Sequence, residues 1–320
     1  MGKRATRLYV VSDIHASEKA WRKMLNAARM RLYKADAVLY AGDLTGKAMV
    51  PVTRITDGYE AELGGQVRVA RSDHELAQLE QDIANLGYYV LHTTQDEIEQ
   101  LHGDAAALHD LFVSHIRKRV KEWLTLAGER MDGSGVPIYL IPGNDDPYDI
   151  DEILDEGGYC VNVDHRVVDI AGNLQVIGSG QSNHTPWSTP REVSDDRFNE
   201  ELTRLAEEVR DPKRTILLTH CPPYGSGLDV APLLDENMRP TVSAGDLLRG
   251  PVGSTGVRQA IEDLRPLLGL HGHIHESGGE ARVGETLCLN PGSEAAFGIL
   301  RGYVVDIGPD GVERHFRVEG

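Results

Sequence analysis

Five times along this chain a short apolar run ends abruptly at a residue able to hold a metal ion. Leu8 to Val11 run into Ser12-Asp13-Ile14-His15, and Ala37 to Ala41 into Gly42-Asp43. Val136 to Ile141 lead to Gly143-Asn144, Thr215 to Thr219 deliver His220, and Leu267 to Leu270 lead into His271-Gly272-His273-Ile274-His275. The runs read as strands. Between the first two, Trp21, Met24, Leu25, Ala28 and Leu32 recur at spacings of three and four, which predicts a helix and hence a β-α-β unit. In open α/β sheets the carboxyl ends of the strands face the ligand crevice, so residues far apart in sequence are expected to converge there. The repetition carries the weight. A lone Asp-x-His is common by chance, Gly-Asp is usually a turn, and Gly143-Asn144-Asp145-Asp146-Pro147 alone would be a loop with an Asx turn.

The donors are two carboxylates, one amide oxygen and four imidazoles. Imidazole suits Zn, Fe, Mn or Ni, and carboxylate and amide oxygens suit harder ions. Seven protein groups are too many for one open catalytic ion. They serve two ions that share a ligand, and a carboxylate has the lone pairs to bridge. Gly42, Gly143 and Gly272 would let the chain turn sharply beside the ions.

Residues 46–135 read differently, as an inserted hairpin and helical subregion within a single domain spanning 1–320. Val50 to Arg54 and Gln66 to Ala70 flank turn signals at Asp57-Gly58 and Gly64-Gly65. Ser72 caps a predicted helix through Leu76, Leu79 and Ile83 to Leu86; a short strand Tyr88 to Leu91 follows. A charged helical stretch then runs to about Ala127 with a break at Gly103. His74, His92, His102, His109 and His115 lack ligand-like pairing and read as surface or core histidines.

Composition narrows the partners. With 33 Lys and Arg against 50 Asp and Glu, the formal charge is −17, which repels polyanions and counts against a dedicated nucleic-acid binder. Cys160, Cys221 and Cys288 form no C-x-x-C pair, so the expectation is buried thiols in a reducing, cytoplasmic setting. No apolar run approaches a membrane span, and the opening apolar stretch is too short for a signal-peptide core. Gly2 to Thr6 fit the loose myristoylation pattern, but a strand follows almost at once. The insertion is a candidate cap or homo-oligomer contact.

Asp13-Ile-His15, Gly42-Asp43, Gly143-Asn144, His220 and Gly272-His273-Ile-His275 resemble, in this order, the motifs of the calcineurin-like metallophosphoesterases. His220-Cys-Pro-Pro-Tyr-Gly, Val252-Gly-Ser254 and Asn290-Pro-Gly-Ser293 resemble a bacterial and archaeal subgroup. The resemblance implies an α/β fold, a four-layer α-β-β-α sandwich of two mixed sheets with a dimetal site at the strand ends. It implies two divalent ions, of Mn, Fe, Zn or Ni with manganese favoured. One would take Asp13, His15, Asp43 and His275, the other Asp43, Asn144, His220 and His273, with Asp43 bridging. A bridging hydroxide would attack phosphorus in line.

The resemblance also places Asn144, Asp145 and His220 in the catalytic machinery. The family usually reads Gly-Asn-His where this chain has Gly143-Asn144-Asp145. That histidine stabilises the transition state or protonates the leaving group. An ionised Asp145 repels phosphate, whereas a protonated one would act as an acid. His184, in Ser182-Asn-His-Thr-Pro-Trp187, is a candidate substrate contact in its place, against the plainer reading of a polar surface histidine. A diester brings fewer charges beside Asp145 than a monoester. The expected activity is therefore a phosphodiesterase acting on a small phosphate ester. A phosphomonoesterase is the nearest alternative, and a non-catalytic metal-binding scaffold the alternative from another class.

Overall fold

A computed structural model describes residues 5–243 and 245–320; Gly2 and the His102 side chain lie outside the described residues. The chain is α/β, built on two six-stranded mixed sheets. In spatial order the first sheet is Gly311–Glu319, Arg301–Gly308, Thr6–Val11, Ala37–Ala41, Ile138–Ile141 and Cys160–Asn162. Its last four strands run parallel. The second sheet is Gly279–Val283, Thr286–Asn290, Leu268–Leu270, Thr215–Thr219, Leu174–Ser179 and Val167–Ile170, with the four inner strands parallel.

The strands are apolar on consecutive positions because both faces are buried. Leu8 and Val10 join Leu39, Ile216, Leu218 and Leu270 in a core shared by the two sheets. Tyr9, Val11 and Tyr40 turn to the opposite face and pack with Trp21 of helix Glu18–Arg29 and Trp123 of helix Ala105–Met131. On the second sheet, Ile177, Leu217 and Cys288 pack with Phe198 and Leu202 of helix Asp195–Ala206 and Val257 of helix Thr255–Leu264. Each fully buried Leu or Ile contributes about 1.5–3 kcal/mol relative to exposure. Strand ends held by such a core are rigid supports for a site.

The first helix stops at Arg29, short of the Leu32 that the spacing predicts. Arg31 takes a left-handed φ of 52°, which ends the helix and leaves Leu32 exposed.

Residues 46–135 contain two unlike parts. The first is a four-stranded sheet, more than the hairpin that the turn signals predict. Its order is Gln66–Ala70, Gly58–Leu63, Met49–Ile55 and Tyr89–Thr93. Helix Asp73–Asn85 makes the crossover to the parallel strand Tyr89–Thr93. Val52, Ala61, Leu63, Leu79 and Ile83 give this sheet its own core. The second part is helix Gln95–His102, a break at Gly103-Asp104, and helix Ala105–Met131. Ile116, Val120, Trp123, Ala127 and Met131 of the long helix belong to the main core. The Trp123 ring stacks on Trp21 at 4.7 Å and 2°. Among the described residues no helix is long and apolar enough to cross a membrane.

Candidate metal centre

Asp13 and His15, Asp43, and Asn144 follow three adjacent parallel strands of the first sheet. His220, and His273 with His275, follow two adjacent parallel strands of the second. Backbone bonds splice the loops together. The Asp13 N–H donates to Gly42 O (2.9 Å), His15 N–H to Asp43 O (3.0 Å) and Gly272 N–H to His220 O (2.9 Å).

The structure brings all seven predicted donors into one connected cluster. His275 Nε2 lies 3.4 Å from Asp13 Oδ1 and 2.9 Å from His15 Nε2. Asp43 Oδ2 sits 3.5 Å from His15 Nε2 and 3.4 Å from His220 Nε2, so one oxygen touches both halves. Asn144 Oδ1 lies 2.9 Å from His220 Nε2 and 2.7 Å from His273 Nδ1. Donor atoms of Asp13, His15, Asp43 and His275 all fall within 4.8 Å of one another.

Two features fit these residues to cations rather than to one another. His15 Nε2 and His275 Nε2 converge at 2.9 Å, with Asp43 Oδ2 3.5 Å from the first and Asp13 Oδ1 3.4 Å from the second, a gathering of lone pairs that suits a cation. Asp13, His15, Asp43 and His273 also hold left-handed φ values of 53°, 46°, 58° and 68°. Such backbones cost about 1–3 kcal/mol each and gather at functional sites. The glycines serve a different purpose from the one the sequence suggests. Gly42 is left-handed, but Gly143 and Gly272 are not. A Cβ at Gly143 would lie 2.1 Å from Asp43 Oδ1, and one at Gly272 2.5 Å from Asp13 Oδ2. They are glycine because a carboxylate occupies the space.

Burial sets the protonation. It pushes His15 well below its ordinary value and His273 down to about 3, leaving these imidazoles neutral with lone pairs free to ligate. Burial also pushes down on His220, but Asp43 and Asp13 outweigh it and raise that ring to about 10. Asp43 itself is raised to about 6, by burial opposed by His220 and reinforced by Asp145.

The supporting contacts are where sequence reasoning fell short. Asp146 is wholly buried and accepts from the N–H groups of Leu44 (3.0 Å), Thr45 (2.8 Å) and Gly143 (2.8 Å), latching the Asp43 loop to the Asn144 loop. The Tyr40 hydroxyl accepts from Ile14 N–H and donates to Asp43 O. The Asn144 amide donates to Thr189 Oγ1 at 2.9 Å. Asn290 donates to the carbonyls of Gly272 and Ile274, and Ser293 donates to Asp13 O at 2.6 Å. The Asn290-Pro-Gly-Ser293 motif thus braces the histidine loop and the Asp13 loop together.

Asp145 lies at the edge of the centre, its N–H donating to Asp43 Oδ1 at 3.1 Å. Its Oδ2 lies 2.5 Å from Lys47 Nζ and 4.0 Å from His15 Nδ1. Nothing in the sequence pairs Lys47 with it. His184 is 72% exposed and turned to Glu192 Oε2 at 3.6 Å; among the described residues no hydrogen bond or ion pair joins it to the cluster. Thr189, five residues further on, reaches the centre through the Asn144 amide. His92 pairs with Glu80, while His74 and His109 are exposed. The three thiols are buried and unbridged, and burial pushes each up to about 12.

His271, beside the centre, has a stability consequence. The Thr219 hydroxyl donates to Cys221 O, so His271 Nδ1–H donates to Thr219 Oγ1 at 2.9 Å and Nε2 stays bare and buried. Burial lowers its pKa to about 3. A ring kept neutral in the fold but titrating near 6.5 when unfolded stabilises fully above about pH 6.5. That stability is lost as pH falls toward 3, and on the order of a few kcal/mol are at stake. Thermal melts between about pH 7 and pH 4 should fall more steeply for the wild type than for His271→Gln. Parallel slopes would assign the acid sensitivity elsewhere.

Comparison with known proteins identifies a family. The profile of the calcineurin-like phosphoesterases matches residues 6–277. An uncharacterized protein of Methanocaldococcus jannaschii is 31% identical over 163 residues, a match covering 50% of this chain and 66% of the relative, just under two thirds of its length. A solved structure from Thermus thermophilus superposes with a TM-score of 0.54 at 14% identity, covering 93% of each chain. A further crystal structure gives a TM-score of 0.56 at 15% identity over 99% of this chain and 98% of its own. At these identities the structures speak for the fold alone.

Proposed function

We infer the activity from one premise: this chain belongs to the calcineurin-like phosphoesterase family. The family's activity is metal-dependent hydrolysis of phosphoesters on a dinuclear centre. Our reading is that this chain hydrolyses a small phosphodiester, with two divalent ions held at the strand ends. The observation that carries it is Asp43 Oδ2, within 3.5 Å of His15 on one side and 3.4 Å of His220 on the other. Asp13, His15, Asp43 and His275 would hold one ion; Asp43, Asn144, His220 and His273 the other. The ions, when bound, supply Lewis acidity toward the phosphoryl oxygens and a nucleophile at neutral pH. Manganese is our first choice of metal.

The chain's own residues do the positioning. Asn144 sets Oδ1 between the His220 and His273 rings, and Thr189 fixes which face of the amide turns inward. His220 is held by Nδ1 against Ala41 O at 2.8 Å, which aims Nε2 into the centre. We read the scaffold as an α-β-β-α sandwich, a reading supported by the helix-packed cluster on the outer face of each sheet. The three unbridged thiols support a reducing, cytoplasmic setting. A homo-oligomer through the insertion is supported by its strand Gln66–Ala70, which exposes Val67 and Val69.

Substrate class follows from charge. A diester brings one negative charge and a monoester up to two, and the Asp145–Lys47 pair carries no surplus positive charge to meet the second. Metal-free protein loaded with Mn, Ni, Zn or Mg and assayed in parallel on bis-p-nitrophenyl phosphate and p-nitrophenyl phosphate should turn over the diester faster. Preference for the monoester would overturn the substrate class. No turnover with ions bound would favour the non-catalytic scaffold. Asp145→His, which removes the charge and restores a proton donor, should raise monoester kcat/KM by at least about tenfold with metal content unchanged. An unchanged monoester rate would remove Asp145 from the leaving-group side.

A further inference from the structure

We propose that Lys47 is a phosphate-binding, specificity-determining residue, presented at the mouth of the centre and held there by Asp145. This rests on the phosphoesterase reading and extends it. Lys47 stands on an unusually well-anchored stem. The N–H groups of Leu44 and Thr45 are fixed by buried Asp146, and that of Gly46 by the buried Tyr89 hydroxyl at 2.9 Å. Beyond that stem the Lys47 side chain is exposed, so its ammonium reaches both Asp145 and incoming solute.

The geometry puts that ammonium beside the reacting region. One oxygen, Asp145 Oδ2, has Lys47 Nζ at 2.5 Å and His15 Nδ1 at 4.0 Å. The Asp145 backbone is tied to Asp43 Oδ1, so the pair cannot drift from the centre. Asp145 alone would repel a phosphate. Paired with Lys47 it contributes no net charge, and the ammonium keeps donors free for a non-bridging phosphoryl oxygen. A neutral pair suits a singly charged diester. The segment of residues 46–135 therefore opens, just before its strand Met49–Ile55, with a residue that serves the site.

The test compares wild type, Lys47→Met and Lys47→Arg, each loaded with manganese. Binding of inorganic phosphate is read by titration calorimetry, and KM and kcat are read with bis-p-nitrophenyl phosphate. Loss of one charge-assisted contact should weaken phosphate about tenfold or more and raise KM by a similar factor, with kcat far less affected. Lys47→Arg should recover most of both. A Lys47→Met protein with unchanged phosphate affinity and KM, even at a lowered melting temperature, would make the ion pair purely structural and overturn the proposal. A wild type that binds phosphate through Lys47 yet hydrolyses no ester would sink the phosphoesterase reading and leave this one standing. A wild type that does neither would overturn both.

Discussion

Asp43→Ala empties both halves of the centre at once. Among the described residues its carboxylate is the donor within reach of His15 and His220 together, so neither ion keeps a full set of ligands without it. Removing an outer-shell partner of a metal ligand typically costs 10–100-fold in affinity or activity, and a shared ligand must cost more than that for each ion, roughly a hundredfold or beyond. The expected result is loss of retained metal after dialysis, loss of the metal-induced rise in melting temperature, and no measurable turnover. The metal-free fold should behave differently. Burial, opposed by His220 and reinforced by the Asp145 charge, raises Asp43 to about 6, so without cations the cost of burying this carboxylate offsets much of what its contacts with His220 and the Asp145 N–H contribute. Its removal should leave the metal-free melting temperature close to that of the wild type. Two tightly retained ions in Asp43→Ala would disprove the bridge.

His15→Ala and His220→Ala sharpen the result because they strike one side each. His15 faces Asp13 and His275 through its partner ring, whereas His220 faces Asn144. Each should lower occupancy of one ion more than the other. Equal loss of both from either variant would mean that the two groups of ligands do not act as separate ion sites.

Asp13, Asp43 and Asn144 were legible in the sequence because each ends an apolar run, and parallel neighbours bring such ends to one edge. The same logic found His220, His273 and His275 on the second sheet. Lys47, Asp146, Tyr40 and Thr189 were not legible, for a physical reason. Each acts through contacts between residues far apart in the chain: Asp146 reaches Leu44 across 102 positions, and Thr189 meets Asn144 across 45. A contact of that kind leaves no periodicity. Helix Ala105–Met131 shows the intermediate case. Ile116, Val120, Trp123, Ala127 and Met131 recur at helical spacing, but the Lys, Arg and Glu of the outer face make the stretch read as charged and detachable. Trp123 stacked on Trp21 ties it to the core. Asp145 could be located but not interpreted, since its partner Lys47 stands in a segment that read as an insertion.

Asp146→Ala should damage the scaffold first and the centre as a consequence. The wholly buried carboxylate satisfies three backbone N–H groups, on Leu44, Thr45 and Gly143, and alanine strands all three. Buried hydrogen bonds to a charged acceptor contribute about 1.5–3 kcal/mol each, but not additively, so a loss of about 3–5 kcal/mol is expected. For a chain of this length that lowers the metal-free melting temperature by roughly 5–10 °C. Asp146→Asn, which keeps one acceptor oxygen but turns an NH2 toward a backbone donor, should fall between. Metal affinity should drop as well, because the latch holds the loops of Asp43 and Asn144 in a single geometry and anchors the stem of Lys47. The contrast with Asp43→Ala makes the result decisive: one variant loses metal from a fold of ordinary stability, and the other loses stability before any metal is added. If Asp146→Ala melts like the wild type without metal, the two loops are held by the strands beneath them and the latch is incidental.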